Sequence, residues 1–509
     1  MTFDSMRMRV GGATGVAPLA DHPAVRAAVT GKSRVTERSA FCWDTPDLKL
    51  ARGGMILTAC RPGSRWQAGL SGVQAGGEGR EWECGNGERP DWGDLKRQLP
   101  EFLSEGIKIK SLEPLLTIEQ REERWRLEYP DGARIVLREL RGRVTRPEGG
   151  EEQPFHDVVL EGSGGAPVRF LQTALAVGRH FSALLEPLGP VARALVRRDS
   201  TLLVPVAWHE GGGVTGERVI GALARAGAAR VGWIRDQLAP LVHGVGAIRI
   251  QAAGNLIQAV AGLHRLIQSF GELLPEPLRR DMESELHWLS GELAEVAFGA
   301  GLVQATVPWM CDCFPEDAKP LEARRVRAQQ AWDLALERAV RAVDSFRFTR
   351  LFMGFAIWLG SEEGLKAATM ESDAGVRERL HGSVEGMARE LIRRGSRVLV
   401  EGDCAAPLEV LARAEALDEI LALFAGAIPE RKSGVQRSAV TDLVRSARRV
   451  VELEAEQRLW QRAGSGDGPT AVDHLFRGWQ GARLEAARSD FRLTWEPFSG
   501  ASSLSWLRD

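Results

Sequence analysis

The hydrophobic pattern changes its period once along the chain, and this change limits the fold more than any other feature. Up to about residue 170, short segments such as RWRLEY and ARIVLREL are separated by turn signals such as RPGSR, YPDG and RPEGGEEQP. After the glycine-rich stretch HEGGGVTGE (209–217), apolar residues recur instead at three and four positions. The first pattern is typical of antiparallel strands, and the second of helices with one apolar face. The sequence therefore predicts a β domain followed by a helical domain.

Local patterns refine the β domain. The stretch from Phe41 is interpreted as a loop, followed by the strand MILTACR, a turn and a second strand. Alternation along MILTACR places Ile56, Thr58 and Cys60 on one face. Residues 168–186 are predicted to form a helix outside the sheet, and residues 188–206 to return to extended structure.

The helical region carries regular apolar stripes, for example Leu256, Val260, Leu263 and Ile267. Hairpins of similar design around 253–303 and 404–461 predict an internal duplication. We place the β domain at residues 1–205, a glycine-rich linker at 206–216 and the helical domain at 217–509. The fold class is α+β multidomain: an antiparallel β barrel with flanking helices, then an all-α duplicated four-helix bundle.

Composition excludes several classes of protein. The 509 residues carry a net charge of −2 with 44% apolar and 26% charged residues, which is ordinary for a globular protein and gives no overall basic field for nucleic acid. No apolar stretch approaches the length of a membrane span, and no apolar signal core opens the chain. We expect a cytoplasmic protein with neither nucleic acid nor membrane as partner.

Several stretches follow the order and spacing of one known family. They are FCWDTPDLKLARGGMILTACRPGSRWQAGLSG, REWE and TIEQREERWRLEYPDGARIVL in the first region, and AGNLIQAVAGLHRLIQSFGELLP, ELHWLSGELAEV, ALERAVRAVDSFRFTRLFMGFAIWL and APLEVLARAEALDEILALFAGAIPERK in the second. On these stretches the chain resembles the CYTH–CHAD family over nearly its whole length.

The resemblance implies a fold and a chemistry. CYTH domains are closed antiparallel barrels, called triphosphate tunnels, whose lumen carries arginines and lysines for a triphosphate and glutamates for Mg²⁺ or Mn²⁺. CHAD domains are paired helical bundles with basic faces that bind polyphosphate. Such chemistry requires cations along the phosphate oxygens and a metal that neutralises developing charge.

Many of the implied site positions carry other residues here. The first strand, SMRMRVGG, has two possible registers, which present either Met6 and Met8 or Arg7 and Arg9, and neither supplies a carboxylate. The family's arginine pair and two lysines fall at Thr58, Cys60, Ser71 and Val191, and the late acidic strand keeps Asp157 and Glu161. We therefore expect a degenerate tunnel, lined mainly by apolar and small side chains, without triphosphatase catalysis.

Some charges in the first domain survive at or beside family positions. These charged residues allow two interpretations: a residual anion-binding site, or a solvated outer face of the barrel. The candidate anion-binding residues are Arg61, Arg65, Arg80, Arg121, Arg124 and Arg134; Glu81, Glu83 and Glu161 are weak candidates for a metal that is otherwise not expected.

The helical domain is degenerate in the same way. Cations persist at His264, Arg265, Arg445, Arg448 and Arg449, which are candidates for anion binding. Where the resemblance implies His, Arg and Lys on the second hairpin, acidic residues stand instead: Glu409, Glu415, Asp418 and Glu419. Carboxylates on that face would repel a polyanion.

Three functional hypotheses follow. The first is a non-catalytic CYTH–CHAD protein, or pseudoenzyme, that binds or scaffolds, with polyphosphate or its granules as ligand or a protein partner on the helical bundle. The second is an inorganic triphosphatase of the tunnel class, the only case in which Mg²⁺ or Mn²⁺ is expected as a cofactor. The third is a protein–protein interaction module in which both ancestral sites are lost.

Overall fold

The structure is a computed structural model. It describes residues 5–11, 18–74, 79–104, 106–147, 152–163, 167–208, 219–270, 276–360, 382, 384–396, 406–423, 430–464 and 469–500. The glycine-rich stretch 209–217 and Cys404 lie outside the described residues.

Nine strands form one antiparallel sheet. They are β1 (Ser5–Arg9), β2 (Arg34–Asp44), β3 (Met55–Cys60), β4 (Gln67–Gly72), β5 (Arg80–Glu83), β6 (Glu113–Glu128), β7 (Arg134–Thr145), β8 (Gln153–Ser163) and β9 (Leu184–Leu185). Their order is β5-β4-β3-β2-β6-β7-β8-β1-β9, and within the described chain the two end strands do not pair with each other. The predicted antiparallel β domain is confirmed.

The described part of the chain also contains many helices. They are α1 (Pro23–Arg26), α2 (Lys49–Arg52), α3 (Leu95–Gln98), α4 (Glu101–Ser104), α5 (Pro167–Phe181), α6 (Pro190–Arg198), α7 (Val219–His243), α8 (Gly246–Phe270), α9 (Glu276–Gly301), α10 (Val307–Cys313), α11 (Ala318–Val343), α12 (Phe346–Gly360), α13 (Ala406–Leu423), α14 (Glu430–Arg462) and α15 (Ala471–Ser499). Residues 384–396 are helical as well. None of the described helices combines the length and apolarity that crossing a membrane requires.

The chain divides into two compact units. The first comprises Met1–Ala207, Gly232–Asn255 and Val340–Gly360, and the second Trp208–Val231, Leu256–Ala339 and Ser361–Asp509. The segments 232–255 and 340–360, which the sequence analysis assigned to the helical domain, thus group with the sheet. Contacts within the first unit explain this grouping, since the Leu185 amide of β9 donates a hydrogen bond of 3.0 Å to the Thr349 hydroxyl of α12.

The two faces of the sheet are covered by different helices. Alternation and register place Ile56, Ile118 and Val159 on one face, where they form an apolar core with Leu195 of α6. We call it the α6 face. The opposite face lies against α5; a Cβ atom on Gly178 of α5 would lie 3.4 Å from the sulfur of Met8.

The first strand adopts one of the two registers that the sequence left open. Arg7 pairs with Val159 and Arg9 with Asp157, so both arginines lie on the α6 face. Met6 and Met8 are buried on the other face. The methionines occupy the side that α5 covers because burying apolar surface is favourable.

Two local predictions in the first unit were wrong. The residues from Phe41 to Asp44 are not a loop but the end of β2, which pairs with β3 on one side and β6 on the other. The segment 188–206, predicted to be extended, contains α6, which begins with Pro190 in its first turn. A proline in the first turn of a helix loses only an N–H group that would have no partner within the helix. Its fixed φ angle also suits a helix.

The second unit has apolar cores that follow the predicted stripes. Leu256 and Leu263 of α8 are buried as expected. Residues 384–396 and helices α13, α14 and α15 share one core, which includes Leu391, Leu417 and Leu443. The prediction of helices with one apolar face is confirmed, and the internal duplication stays a prediction.

Candidate anion-binding site

Three arginines lie side by side across the α6 face. Arg34 of β2 pairs with Arg124 of β6, and Arg124 pairs with Arg138 of β7. Neighbouring strands are about 4.8 Å apart, so the three Cα atoms form a short line across the sheet. We call these three residues the arginine row.

The row lacks full charge compensation from the protein. Arg34 and Arg124 are exposed, and neither forms an ion pair with a side chain in the described part of the chain. Arg138 pairs with Glu161, although the buried Nε of Arg138 has no hydrogen-bond partner among the described residues. Like charges directly opposite each other on paired strands are destabilising. A bound anion would remove this repulsion, so the row is suited to phosphate or another polyanion.

A fourth arginine of β2 extends the positive surface. Arg38 lies on the same face as Arg34 and is exposed. Burial raises the pKa of the neighbouring Cys60 thiol, the charge of Arg38 lowers it, and that of Glu81 raises it further. Both charged side chains therefore lie near Cys60. The resemblance implies an arginine at position 60. Here that position is a cysteine, and the cation near it is Arg38 of β2.

Beside the row, the carboxylate of Asp157 is held by two arginines. Its side chain is fully buried, and its oxygens lie 3.0 Å from Arg7 and 2.9 Å from Arg193 of α6. Buried charges of this kind require pairing, because desolvation is costly. Asp157 thus fixes β1 and α6 to β8, and its oxygens are already occupied by protein donors.

Glu186, which precedes α6, is a second buried carboxylate with several cationic partners. Its Oε2 lies 3.1 Å from His243 Nε2, 3.5 Å from Arg9 and 3.6 Å from Arg193. Burial acts to raise the pKa of Glu186, but the hydrogen bond with His243 and the charges of His243 and Arg193 outweigh it, so the pKa lies below its ordinary value.

This shift gives a pH prediction. Because the pKa of Glu186 is lower in the folded state, its contribution to stability is present above the ordinary value of 4.5 and is lost as the pH falls through the lowered value. The stability difference between the wild type and Glu186→Gln should therefore shrink on acidification below pH 4.5. Urea unfolding at a series of pH values measures it, with the exposed Glu119→Gln as control. A difference that does not change with pH would contradict the assignment.

The structure separates the candidate cations of the first unit. Arg124 and Arg134 lie on the α6 face, whereas Arg80 and Arg121 lie on the opposite one. Arg61 donates a hydrogen bond to the Asn86 carbonyl and Arg65 pairs with Glu83, both at exposed positions.

The weak metal candidates do not come together as a ligand set. Glu161 is engaged by Arg138 and Glu83 by Arg65. Over the described residues, no three His, Cys, Asp or Glu side chains are grouped so that they could hold a metal ion. The residues present there do not fit the divalent ion that the resemblance implies for a tunnel.

The expectation of an apolar and small lining was right for only part of the α6 face. Ile56, Ile118 and Val159 agree with it, but the arginine row contradicts it. Arg34 and Arg138 were not among the site residues predicted from the sequence. The available signal was the alternation RVTER, which repeats arginine, threonine and arginine at every second position of β2.

In the second unit, the central candidate cations are paired with carboxylates. Arg265 lies 2.8 Å from both Glu415 and Glu419 of α13. Arg448 of α14 lies 2.7 Å from Glu415, and Arg230 of α7 lies 2.9 Å from Glu419. Glu415 and Glu419, two of the acidic residues that the sequence places on this hairpin, therefore neutralise neighbouring arginines.

The other candidates of this unit also have local partners. Arg445 pairs with Asp442 and Arg449 with Glu452, each on the same helix. His264 lies 3.1 Å from the amide of Gln268, and burial, the largest influence, lowers the pKa of its imidazole. Each of these side chains has a local partner, whereas Arg34 and Arg124 of the arginine row form no ion pair with a described side chain.

Comparison with known proteins gives structural likenesses only. No family model and no curated protein matches the sequence. Among solved structures, the chain is similar to the CHAD domain from the plant Ricinus communis (15% identity, 60% of this chain and 96% of that chain, TM-score 0.43). It is also similar to PptA from Streptomyces chartreusis (17%, 55% and 100%, TM-score 0.39) and to a putative adenylate cyclase from Bacillus halodurans (13%, 38% and 96%, TM-score 0.26).

The solved structures to which this chain is similar thus include a CHAD domain, as the resemblance implies. All three TM-scores lie below 0.5.

Proposed function

We propose that this protein binds phosphate chains on the α6 face without hydrolysing them, and so acts as a binding or scaffolding protein for polyphosphate or its granules. The observation that carries the proposal is the arginine row, in which Arg34 and Arg124 have no anionic partner among the described side chains. Polyphosphate repeats its negative charges along a chain and so matches cations arranged in a line.

Two further observations support the non-catalytic part of the proposal. Of the carboxylates on this face, Asp157 is occupied by Arg7 and Arg193, and Glu161 is engaged by Arg138. The buried Glu122 belongs to no group of three or more potential metal ligands among the described residues. A metal-dependent phosphoryl transfer would require carboxylates that are available to a divalent ion. The sequence predicted candidate anion-binding residues in both domains; the proposal favours the first, because the central arginines of the helical bundle are already paired.

The test compares two charge reversals on the same strand. Arg124→Glu changes the row, and Arg121→Glu changes an exposed arginine on the opposite face of β6. We expect Arg124→Glu to weaken binding of labelled polyphosphate by at least about tenfold, since it removes one charge-assisted contact and adds a repulsive charge. Arg121→Glu should have little effect. Fluorescence anisotropy over a salt series measures both.

The salt series adds an independent readout. The logarithm of affinity should fall linearly with the logarithm of salt, and the slope should decrease by roughly 0.7–0.9 when one phosphate contact is lost. Equal effects of the two substitutions would contradict the location of the polyphosphate-binding site on the α6 face. No binding by the wild type would favour the interaction module, and release of phosphate from tripolyphosphate with Mg²⁺ or Mn²⁺ would favour the triphosphatase.

A further inference from the structure

The second unit contains a polar pocket close to the point where α14 ends and α15 begins. Its cavity volume is about 180 Å³, and it is partly open to solvent. Arg324 of α11, Gln457 and Gln461 of α14, and Asp473 and Arg477 of α15 contribute polar side chains to its lining. This pocket belongs to the second unit, whereas the arginine row belongs to the first.

Arg324 is the unusual member of the lining. It is 4% exposed, and its guanidinium donates a hydrogen bond of 2.6 Å to Asp473 and lies over the Trp460 ring. Its Nε is buried and has no hydrogen-bond partner among the described residues. A buried N–H group without a partner costs free energy, so the guanidinium is not fully satisfied by the protein. Burial, the largest influence, lowers the pKa of Arg324 despite the nearby charge of Asp473.

Both oxygens of the Asp473 carboxylate in the pocket already accept hydrogen bonds from the protein. Oδ1 of Asp473 accepts hydrogen bonds from Arg324 and from the Trp460 indole. Oδ2 accepts from the amide and the hydroxyl of Thr470, which caps α15. Asp473 therefore compensates one arginine and has little capacity left to repel or bind a ligand.

The remaining charge around the pocket is positive. Arg477 stands one turn after Asp473, is exposed, and forms no ion pair within the described residues. Arg327 donates a hydrogen bond to the Ala463 carbonyl, and its charge also lowers the pKa of Arg324. Two glutamine amides add neutral donors. Gly464 lets the backbone approach the Arg324 guanidinium closely, since a Cβ atom at this position would lie 3.1 Å from an Arg324 nitrogen.

We propose that this pocket binds a small oxyanion, the carboxylate or phosphate group of a small molecule, between Arg324 and Arg477. Guanidinium groups present paired N–H donors that match the two oxygens of such groups. Of the two arginines that line the pocket, Arg324 is the buried one and Arg477 is exposed and supplies the uncompensated charge.

The experiment is calorimetric titration of the full chain with inorganic phosphate and, separately, with acetate, each at millimolar concentrations. Saturable binding of phosphate assigns the site to phosphate groups, and saturable binding of acetate alone assigns it to carboxylates. We expect Arg477→Gln to raise the dissociation constant roughly tenfold, because one charge-assisted contact is lost. The matched control is Arg458→Gln, an exposed arginine of α14 that does not line the pocket.

The same titration separates this site from the arginine row. Binding should persist in the double variant Arg34→Glu/Arg124→Glu, which leaves the pocket intact. Binding that disappears in that double variant but survives Arg477→Gln belongs to the row and overturns the pocket site. Absence of binding of both anions, or equal effects of Arg477→Gln and Arg458→Gln, also overturns it.

Discussion

Replacing Asp157 by asparagine is expected to lower the free energy of unfolding of the sheet unit by about 3–5 kcal/mol. Asp157 is fully buried and lies within 3.0 Å of both Arg7 and Arg193. The neutral amide would leave Arg7 without its counter-charge and Arg193 with only the more distant Glu186, 3.6 Å away. Removing one partner of such a buried cluster costs more than the pairing itself contributes.

Urea unfolding followed by circular dichroism measures this effect, and hydrogen exchange of the β1 and β8 amides locates it. The control is Glu119→Gln, which removes an ion pair with Arg143 in which both side chains are about half exposed. Solvent screens that pair, so no measurable loss is expected. If Asp157→Asn were as stable as the control, the proposed role of Asp157 in fixing β1 and α6 to β8 would be wrong.

Replacing Gly142 by alanine is expected to cost about 3 kcal/mol or more, because the new atom would meet backbone rather than a mobile side chain. Gly142 of β7 pairs with Gln120 of β6. A Cβ atom there would lie 2.0 Å from the Glu119 carbonyl oxygen and 2.9 Å from both the Gln120 Cα and the Phe155 ring. The two strands would have to separate locally to admit a methyl group.

The matched control for this substitution is Gly69→Ala in β4. A Cβ atom at Gly69 would lie 3.3 Å from the Thr58 hydroxyl, which can rotate away. Alanine also loses less backbone entropy on folding than glycine, so the net change should stay within about 1 kcal/mol. Thermal unfolding compares the two variants. A larger loss for Gly69→Ala than for Gly142→Ala would contradict the close backbone approach.

The sequence predicted the architecture well because periodicity reports directly on burial. The strand from Met55 to Cys60 and the apolar stripe of α8 lie where the alternation and the three-to-four spacing placed them. In the first strand, by contrast, methionine and arginine alternate. Either face was compatible with that pattern until the packing of Met8 against α5 fixed the register.

The site was less predictable because it depends on pairing between distant strands. Arg34, Arg124 and Arg138 are separated by many residues, and only the register of β2 with β6 and of β6 with β7 aligns them. The helical candidates failed for a similar reason, since Arg265 and Glu415 lie 150 residues apart yet form an ion pair. Charge counted along one segment cannot show which charges are compensated in space.

The packing of α6 on its face of the sheet has one more consequence. α6 covers the apolar part of that face, and the arginine row provides a short line of cations on three neighbouring strands. A long polymer of phosphate held there would leave most of its length in solvent, where further molecules of this protein could attach to it. One such polymer would then gather many copies, and the chain length of the polymer would set the size of the assembly.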